Sequence, residues 1–276
     1  MSNTTDARLR RRRPPPGGFS LGGLSDEQRA ERIVDFDENE YGFVRLARDA
    51  LRDASRDAGK SRSPESSAFW DVQDDPDDPS ATLARLHVAA ASGKRKGRNN
   101  ALATALTNRL RDSPEFRDAL ARFVRREVCP ALGVARVAYQ RRPTVRVHLA
   151  GAPAMGYPHA DGADPYNHQP GEVNVWVPLT KVWGGNSLTS ESAPGAEDFH
   201  AFEARPGQFV RFDGNRCWHY TTANDTEATR STYRDAAWFS GNFDSKQVDE
   251  CGAEVRSPRV DWSQYHVVEW RRRDLL

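Results

Sequence analysis

Residues 159 to 161 read His-Ala-Asp. In extended backbone, side chains two positions apart leave the same face, so the imidazole of His159 and the carboxylate of Asp161 converge on one point. Such a pair offers a nitrogen and an oxygen donor to a divalent metal. Alone the signal is weak, because the surrounding "HADGADPYNH" is also the Gly, Asp, Asn and Pro composition from which turns are made. A third donor is His219, in "GQFVRFDGNRCWHYTT", where an alternating run turns at Asp213 and Gly214 and re-enters a strand. Two imidazoles and one carboxylate on one face leave three positions of an octahedral ion open, which suits non-haem Fe(II) oxygen chemistry. The other reading of His219 is a hydrogen-bonded core histidine. Cys217, two residues earlier, is expected to be a small buried thiol.

An anion site is the second element. Arg230, eleven positions after His219 in "TRSTYR", is expected on a neighbouring antiparallel strand, with Thr232 and Arg234 on its face. A guanidinium fork beside a hydroxyl is a carboxylate clamp. The alternative turns this row to solvent and points Ser231, Tyr233 and Asp235 inward, leaving Asp235 in need of a buried partner.

The elements that must position these groups fall into four pieces. Residues 1–24, with "RLRRRRPPPGGFSLGG", read as a disordered basic arm, because like charges repel and prolines forbid helix. Residues 25–134 form a helical region that opens with a capping-box spacing at Ser25 and Gln28. Its clearest helix is "SPEFRDALARFVRREV", with Ser113 as cap, Pro114 at the first position and Phe116, Leu120, Phe123 and Val124 on one face. "DVQDDPDDPS" and "SGKRKGRNN" read as charged loops. Residues 135–245 are a series of short β-rich runs broken by Gly, Pro, Asn and Asp, which points to a sandwich or barrel. The expected fold is α+β, a cupin-like jelly roll (double-stranded β-helix) with the N-terminal helical layer on one face. Residues 246–276 form a charged tail whose Val267, Val268 and Trp270 are expected to fold back over the barrel.

Bulk properties exclude several classes. The chain has 276 residues, 29% charged, with a formal net charge of +1, so no strong nucleic-acid field follows from the totals. Cys129, Cys217 and Cys251 form neither a disulfide framework nor a CxxC zinc pattern, which fits a reducing compartment. No apolar run approaches the roughly 18 residues of a membrane helix, and PPPGG stands where a signal peptide needs an apolar stretch. The expectation is a soluble cytoplasmic protein without a membrane partner; nothing fixes its oligomeric state.

Taken together, "RVHLAGAPAMGYPHAD", "YNHQPGEVNVWVPLT", "FDGNRCWH" and "NDTEATR", over about residues 144–234, resemble the Fe(II)/2-oxoglutarate-dependent oxygenases, in particular their streptomycin-biosynthesis branch. The resemblance implies that His159, Asp161 and His219 hold iron and that Arg230, helped by Thr232, binds the distal carboxylate of 2-oxoglutarate. Such enzymes use O2 to couple decarboxylation of 2-oxoglutarate to succinate with oxidation, commonly hydroxylation, of a C–H bond. Some members place a second arginine four residues after the first, which puts Arg234 with the co-substrate. Retention of Asp161 argues against halogenation. The chain departs from the branch in a small insertion at Gly162–Pro165, in Tyr220 and Thr221 after the distal histidine, and in Arg234 itself.

In this frame "EVNVWVPLT" turns Val173, Val175 and Val177 to the helical layer and Asn174 and Trp176 inward. Asn174 then either hydrogen-bonds the 2-oxo acid or substrate, or is a satisfied core amide. Trp176 is expected chiefly in the core, its inward face also placing it with the substrate-side residues. Arg146 and His148 share a face and, with Tyr157, Tyr166 and His168, are expected to line the entrance for a polar or anionic small molecule. Two other classes fit less well. A cupin-type isomerase or epimerase has no need of the arginine clamp, and a degenerate barrel that binds RNA through its basic arm has no need of three metal donors.

Overall fold

A computed structural model describes residues 24–60, 77–91, 101–140, 144–166, 168, 171–238 and 265–269. The basic arm, the loop 92–100, most of the acidic loop, Asn167, Cys251 and most of the C-terminal tail, with Trp270, lie outside the described residues.

The capping box forms as the spacing predicts: the Ser25 hydroxyl accepts from the Gln28 amide at 3.2 Å, and Gln28 Oε1 accepts from the Ser25 amide at 3.0 Å. It starts α1 (Asp26–Arg29). The chain then forms β1 (Arg32–Asp35), a strand inside the region expected to be helical. Four residues give no readable period, and its place is set by pairing with a strand far along the chain. Next come α2 (Glu38–Tyr41), α3 (Phe43–Lys60), α4 (Pro79–Ala84), α5 (Leu86–Ala91), α6 (Ala101–Asp112) and α7 (Pro114–Phe123). Ser113 caps α7 through Phe116 N at 3.1 Å, and Phe116, Leu120 and Phe123 are fully buried. The helix expected to run on through residue 128 widens instead into a π-helical turn at Val124–Val128, ahead of α8 (Cys129–Leu132). Pro130, with no N–H and a ring that crowds the carbonyl four residues back, accounts for the wider turn.

The strands are β2 (Arg136–Gln140), β3 (Thr144–His148), β4 (Glu172–Pro178), β5 (Thr189–Ser190), β6 (His200–Ala201), β7 (Gln208–Phe212), β8 (His219–Tyr220), β9 (Arg230–Trp238) and β10 (Tyr265–Glu269). Seven form an antiparallel sheet in the order β1-β7-β4-β9-β2-β10, with β3 also on β9; three form a second sheet, β6-β5-β8. β10, carrying Val267 and Val268, pairs with β2.

Strand alternation decides what faces the site. Val145, Val147, Val173, Val175, Val177, Phe209 and Tyr233 share one core with the helices. The Tyr233 ring lies 5.0 Å from Phe43 and 5.4 Å from Phe116. Arg230 and Thr232 therefore occupy the opposite face, buried, and the solvent-facing alternative does not hold for these two. On that face Trp176, Val210 and Phe212 meet Phe202, next to β6, in a second apolar cluster. Buried Arg211 fastens the helical layer to the sheet by donating to the carbonyls of Ala30, Ala131 and Glu27 at 3.1, 2.7 and 3.1 Å.

One expected neighbour relation is wrong. β9 does not lie beside the strand of His219: β8 pairs with β5, while β9 pairs with β2, β3 and β4. The intervening segment crosses from one sheet to the other, held by Asn224, whose amide donates to the carbonyls of His148 (3.1 Å) and Ala228 (3.0 Å). Among the described residues no helix is long and apolar enough to cross a membrane.

Candidate metal centre

A turn and a short β-bridge build the site. The Asp213 carbonyl accepts from the amides of Arg216 (3.1 Å) and Cys217 (2.7 Å), and this turn lays residues 214–219 alongside 159–162. His159 and His219 exchange both backbone hydrogen bonds, at 3.1 and 2.8 Å, and the Asp161 amide donates to Gly214 O at 2.8 Å. Two histidines 60 positions apart are thus set facing each other by backbone alone.

Their side chains converge. His159 Nε2 lies 3.4 Å and His219 Nε2 3.7 Å from Asp161 Oδ1, and the two rings are 4.5 Å apart. Each ring's Nδ1 faces a carbonyl oxygen, Tyr157 O at 2.8 Å for His159 and Cys217 O at 3.1 Å for His219. A carbonyl only accepts, so Nδ1 donates in both rings, and this turns each Nε2 toward the carboxylate. Donor separations of this size are what two ligands about 2.1 Å from one ion subtend. The donor set fits a divalent metal of the two-histidine, one-carboxylate kind.

Asn174 is buried, and its Nδ2 donates to Asp161 Oδ2 at 2.8 Å, orienting the candidate ligand carboxylate. Only glycine at 214 leaves room for this, because a Cβ there would collide with Asn174 Nδ2 and come within 2.8 Å of Phe212 Cε2. Gly214→Ala is therefore expected to push the amide off Asp161 and weaken metal binding roughly 10- to 100-fold, the usual cost of losing such a supporting contact. Isothermal titration with Co(II) reads this, and an unchanged affinity would show that Asn174 does not orient the carboxylate.

The second group of expected residues lies along the inward face of β9. Opposite Arg230 stands His148 on β3; opposite Thr232 stand Arg146 on β3 and Pro178 on β4; the later pairings with β4 are Arg234 with Trp176, Ala236 with Asn174 and Trp238 with Glu172. Arg230 is 3% exposed and donates to Ser187 O at 3.1 Å, with Met155 Sδ 3.5 Å from its other terminal nitrogen. Among the described residues its Nε and the Thr232 hydroxyl are buried without a hydrogen-bond partner. Burial, with Arg146 nearby, lowers the Arg230 guanidinium to about 10, which keeps it charged at neutral pH. Arg234 is placed by its backbone on this row; its side chain lies outside the described residues.

The remaining expected residues divide. Tyr166 packs its ring 4.4 Å from that of His159 and is 47% exposed. Tyr157 is 64% exposed and reaches the site through its carbonyl. Arg146 is exposed at the sheet edge. Trp176 lies in the core as expected, buried in the second apolar cluster 5.8 Å from the Phe202 ring. Cys217 is a buried thiol whose pKa burial pushes up, and it offers the site only its carbonyl.

Glu172 was missed. It is 1% exposed and accepts from His168 Nδ1 at 3.0 and 3.1 Å on its two oxygens. With Asp161 these two residues make a second group whose donor atoms lie within 4.8 Å of one another. The period-two reading that turned Asn174 inward also turns Glu172 inward, and that was the available signal.

Fold and centre together define a protein of antiparallel sheets under a helical layer, carrying a His-Asp-His group able to hold a metal. No family model matches the chain. Over 118 residues it is 38% identical to the streptomycin biosynthesis protein StrG of Streptomyces griseus, an alignment covering 43% of this chain and 52% of that protein. The chain thus spans about half the length of that relative, and the motif resemblance to the streptomycin-biosynthesis branch is borne out. Solved structures overlap loosely. CytC3 with Fe(II) and alpha-ketoglutarate aligns with 80% of this chain and 78% of its own at 13% identity and TM-score 0.42. AviO1 from Streptomyces viridochromogenes aligns over 81% and 99% at 12% identity and TM-score 0.41.

Proposed function

We propose that the chain is an Fe(II)- and 2-oxoglutarate-dependent dioxygenase that oxidises, by hydroxylation, a C–H bond of a polar small molecule. One observation carries the reading: three metal donors converge on one point, and on the inward face of β9 a buried guanidinium and a hydroxyl have polar atoms with no partner among the described residues. A non-oxidative barrel enzyme has no use for that buried cation, which costs desolvation unless an anion binds.

In this reading His159, Asp161 and His219 hold iron, which when bound supplies the site's reactivity toward O2. Asn174 keeps Asp161 turned to the metal. Arg230 and Thr232, with Arg234 further along the strand, seat 2-oxoglutarate. Tyr166 and His168, at the rim, shield the metal side from water and meet substrate; Arg146 and Tyr157 belong to the same entrance. The two sheets are read as the walls of a jelly roll, residues 135–245 as the catalytic core, 25–134 as the helical layer bracing it, and the compartment as the cytoplasm.

Anaerobic addition of Fe(II) and then 2-oxoglutarate to the full chain tests the reading. The expected outcome is a weak visible charge-transfer band that requires both additions and saturates at one equivalent of iron. Absence of the band would remove the assignment.

A further inference from the structure

His148 stands directly opposite Arg230 in the sheet register, on the inward face of β3, and is 1% exposed. Its Nε2 lies 3.0 Å from Pro153 O and must donate to it, which leaves Nδ1 as a bare lone pair. Among the described residues that nitrogen is buried without a partner. So are Arg230 Nε, directly opposite on the adjoining strand, and the Thr232 hydroxyl oxygen two residues further along it. Three orphaned polar atoms on two paired strands are costly in a closed protein and mark the seat of a polar ligand.

The charges around the ring set its state. Arg230 faces it from β9, and Arg146, which bears on Arg230, extends from its own strand. The segment after β3 contributes carbonyls only, from Ala152 and Pro153, and the helical layer packs on the opposite face of β3, against Val145 and Val147. Burial and the Arg230 charge hold His148 down to about 4, so the ring is neutral at pH 7.

We propose that His148, rather than contacting substrate, is a third group of the co-substrate seat, and that binding of a keto-diacid is accompanied by uptake of one proton onto its Nδ1. This rests on the reading of the site given above. A lone pair aimed at a carboxylate repels it, whereas an imidazolium there donates a charge-assisted hydrogen bond. The arriving dianion offsets the guanidinium that had disfavoured the charged ring. The proton comes from solvent, Nε2–H stays on Pro153 O, and no bond in the ligand changes.

Calorimetric titration of 2-oxoglutarate into the Co(II)-loaded chain at pH 7, in two buffers of different ionisation heat, reads the proton directly. Uptake close to one proton per ligand is expected. 2-Oxobutyrate, which lacks the distal carboxylate, should bind without uptake. His148→Phe should weaken 2-oxoglutarate roughly 10- to 100-fold, the range for a hydrogen bond to a charged group, abolish the uptake and leave 2-oxobutyrate unaffected. Its Co(II) affinity reports that the fold is intact. Binding of 2-oxoglutarate by the wild-type chain without proton uptake overturns the proposal, as does a Phe variant that binds both acids as wild type does. Failure of the wild-type chain to bind either acid overturns instead the reading on which it rests.

Discussion

His219→Ala is expected to abolish iron binding while leaving the fold intact. The imidazole supplies one of three donors, and its Nδ1–H to the Cys217 carbonyl is the hydrogen bond that aims Nε2 at Asp161. Losing a mere supporting contact costs about 10- to 100-fold in metal affinity. Losing the donor itself should exceed that range, leaving no chelate band at any accessible Fe(II) concentration. The backbone bridge between residues 159 and 219 does not involve the side chain and persists. The ring packs edge-on against Phe212, 5.5 Å between centroids, so its removal leaves a small cavity and a modest loss in Tm. Retention of Fe(II) affinity within tenfold of wild type would strike His219 from the donor set.

Arg230→Met is expected to separate co-substrate binding from stability. A buried cation without a counter-charge costs desolvation, and an apolar side chain of similar volume often replaces one at no loss. Only the contacts to Ser187 O and Met155 Sδ go with it, so stability against urea should change by no more than about 1 kcal/mol. In the proposed reading 2-oxoglutarate loses the guanidinium that meets its distal carboxylate, a truncation worth about 2–5 kcal/mol, so affinity should fall roughly 30-fold or more. Calorimetry on the Co(II)-loaded chain and a denaturation curve make the comparison. If Arg230 is structural the pattern inverts, with stability falling and affinity unchanged.

How far the sequence could be read depended on the range of the interaction. His159 and Asp161 follow from strand alternation over three residues, and the cap at Ser113 and the Val173, Val175, Val177 face are equally local. Arg230 and Thr232 lie on the inward face, where alternation put them. What failed was long-range. β1 is a strand because Gln208–Phe212 offers it an edge, a fact absent from its own four residues. The placement of β8 away from β9 depends on how residues 221–229 cross between sheets, and composition does not encode that path. Asn174 is expected inward, but that its partner is Asp161 follows only from the turn at Gly214.

The tethering of both metal-facing imidazoles to main-chain oxygens has an evolutionary corollary. Every amino acid carries a carbonyl, so exposed position 157 can drift widely, and buried position 217 among small side chains, without disturbing the aim of either ring. Selection therefore falls on the histidines and on the path of the backbone, and relatives of this chain should show varied residues at those two places around an unchanged His-X-Asp.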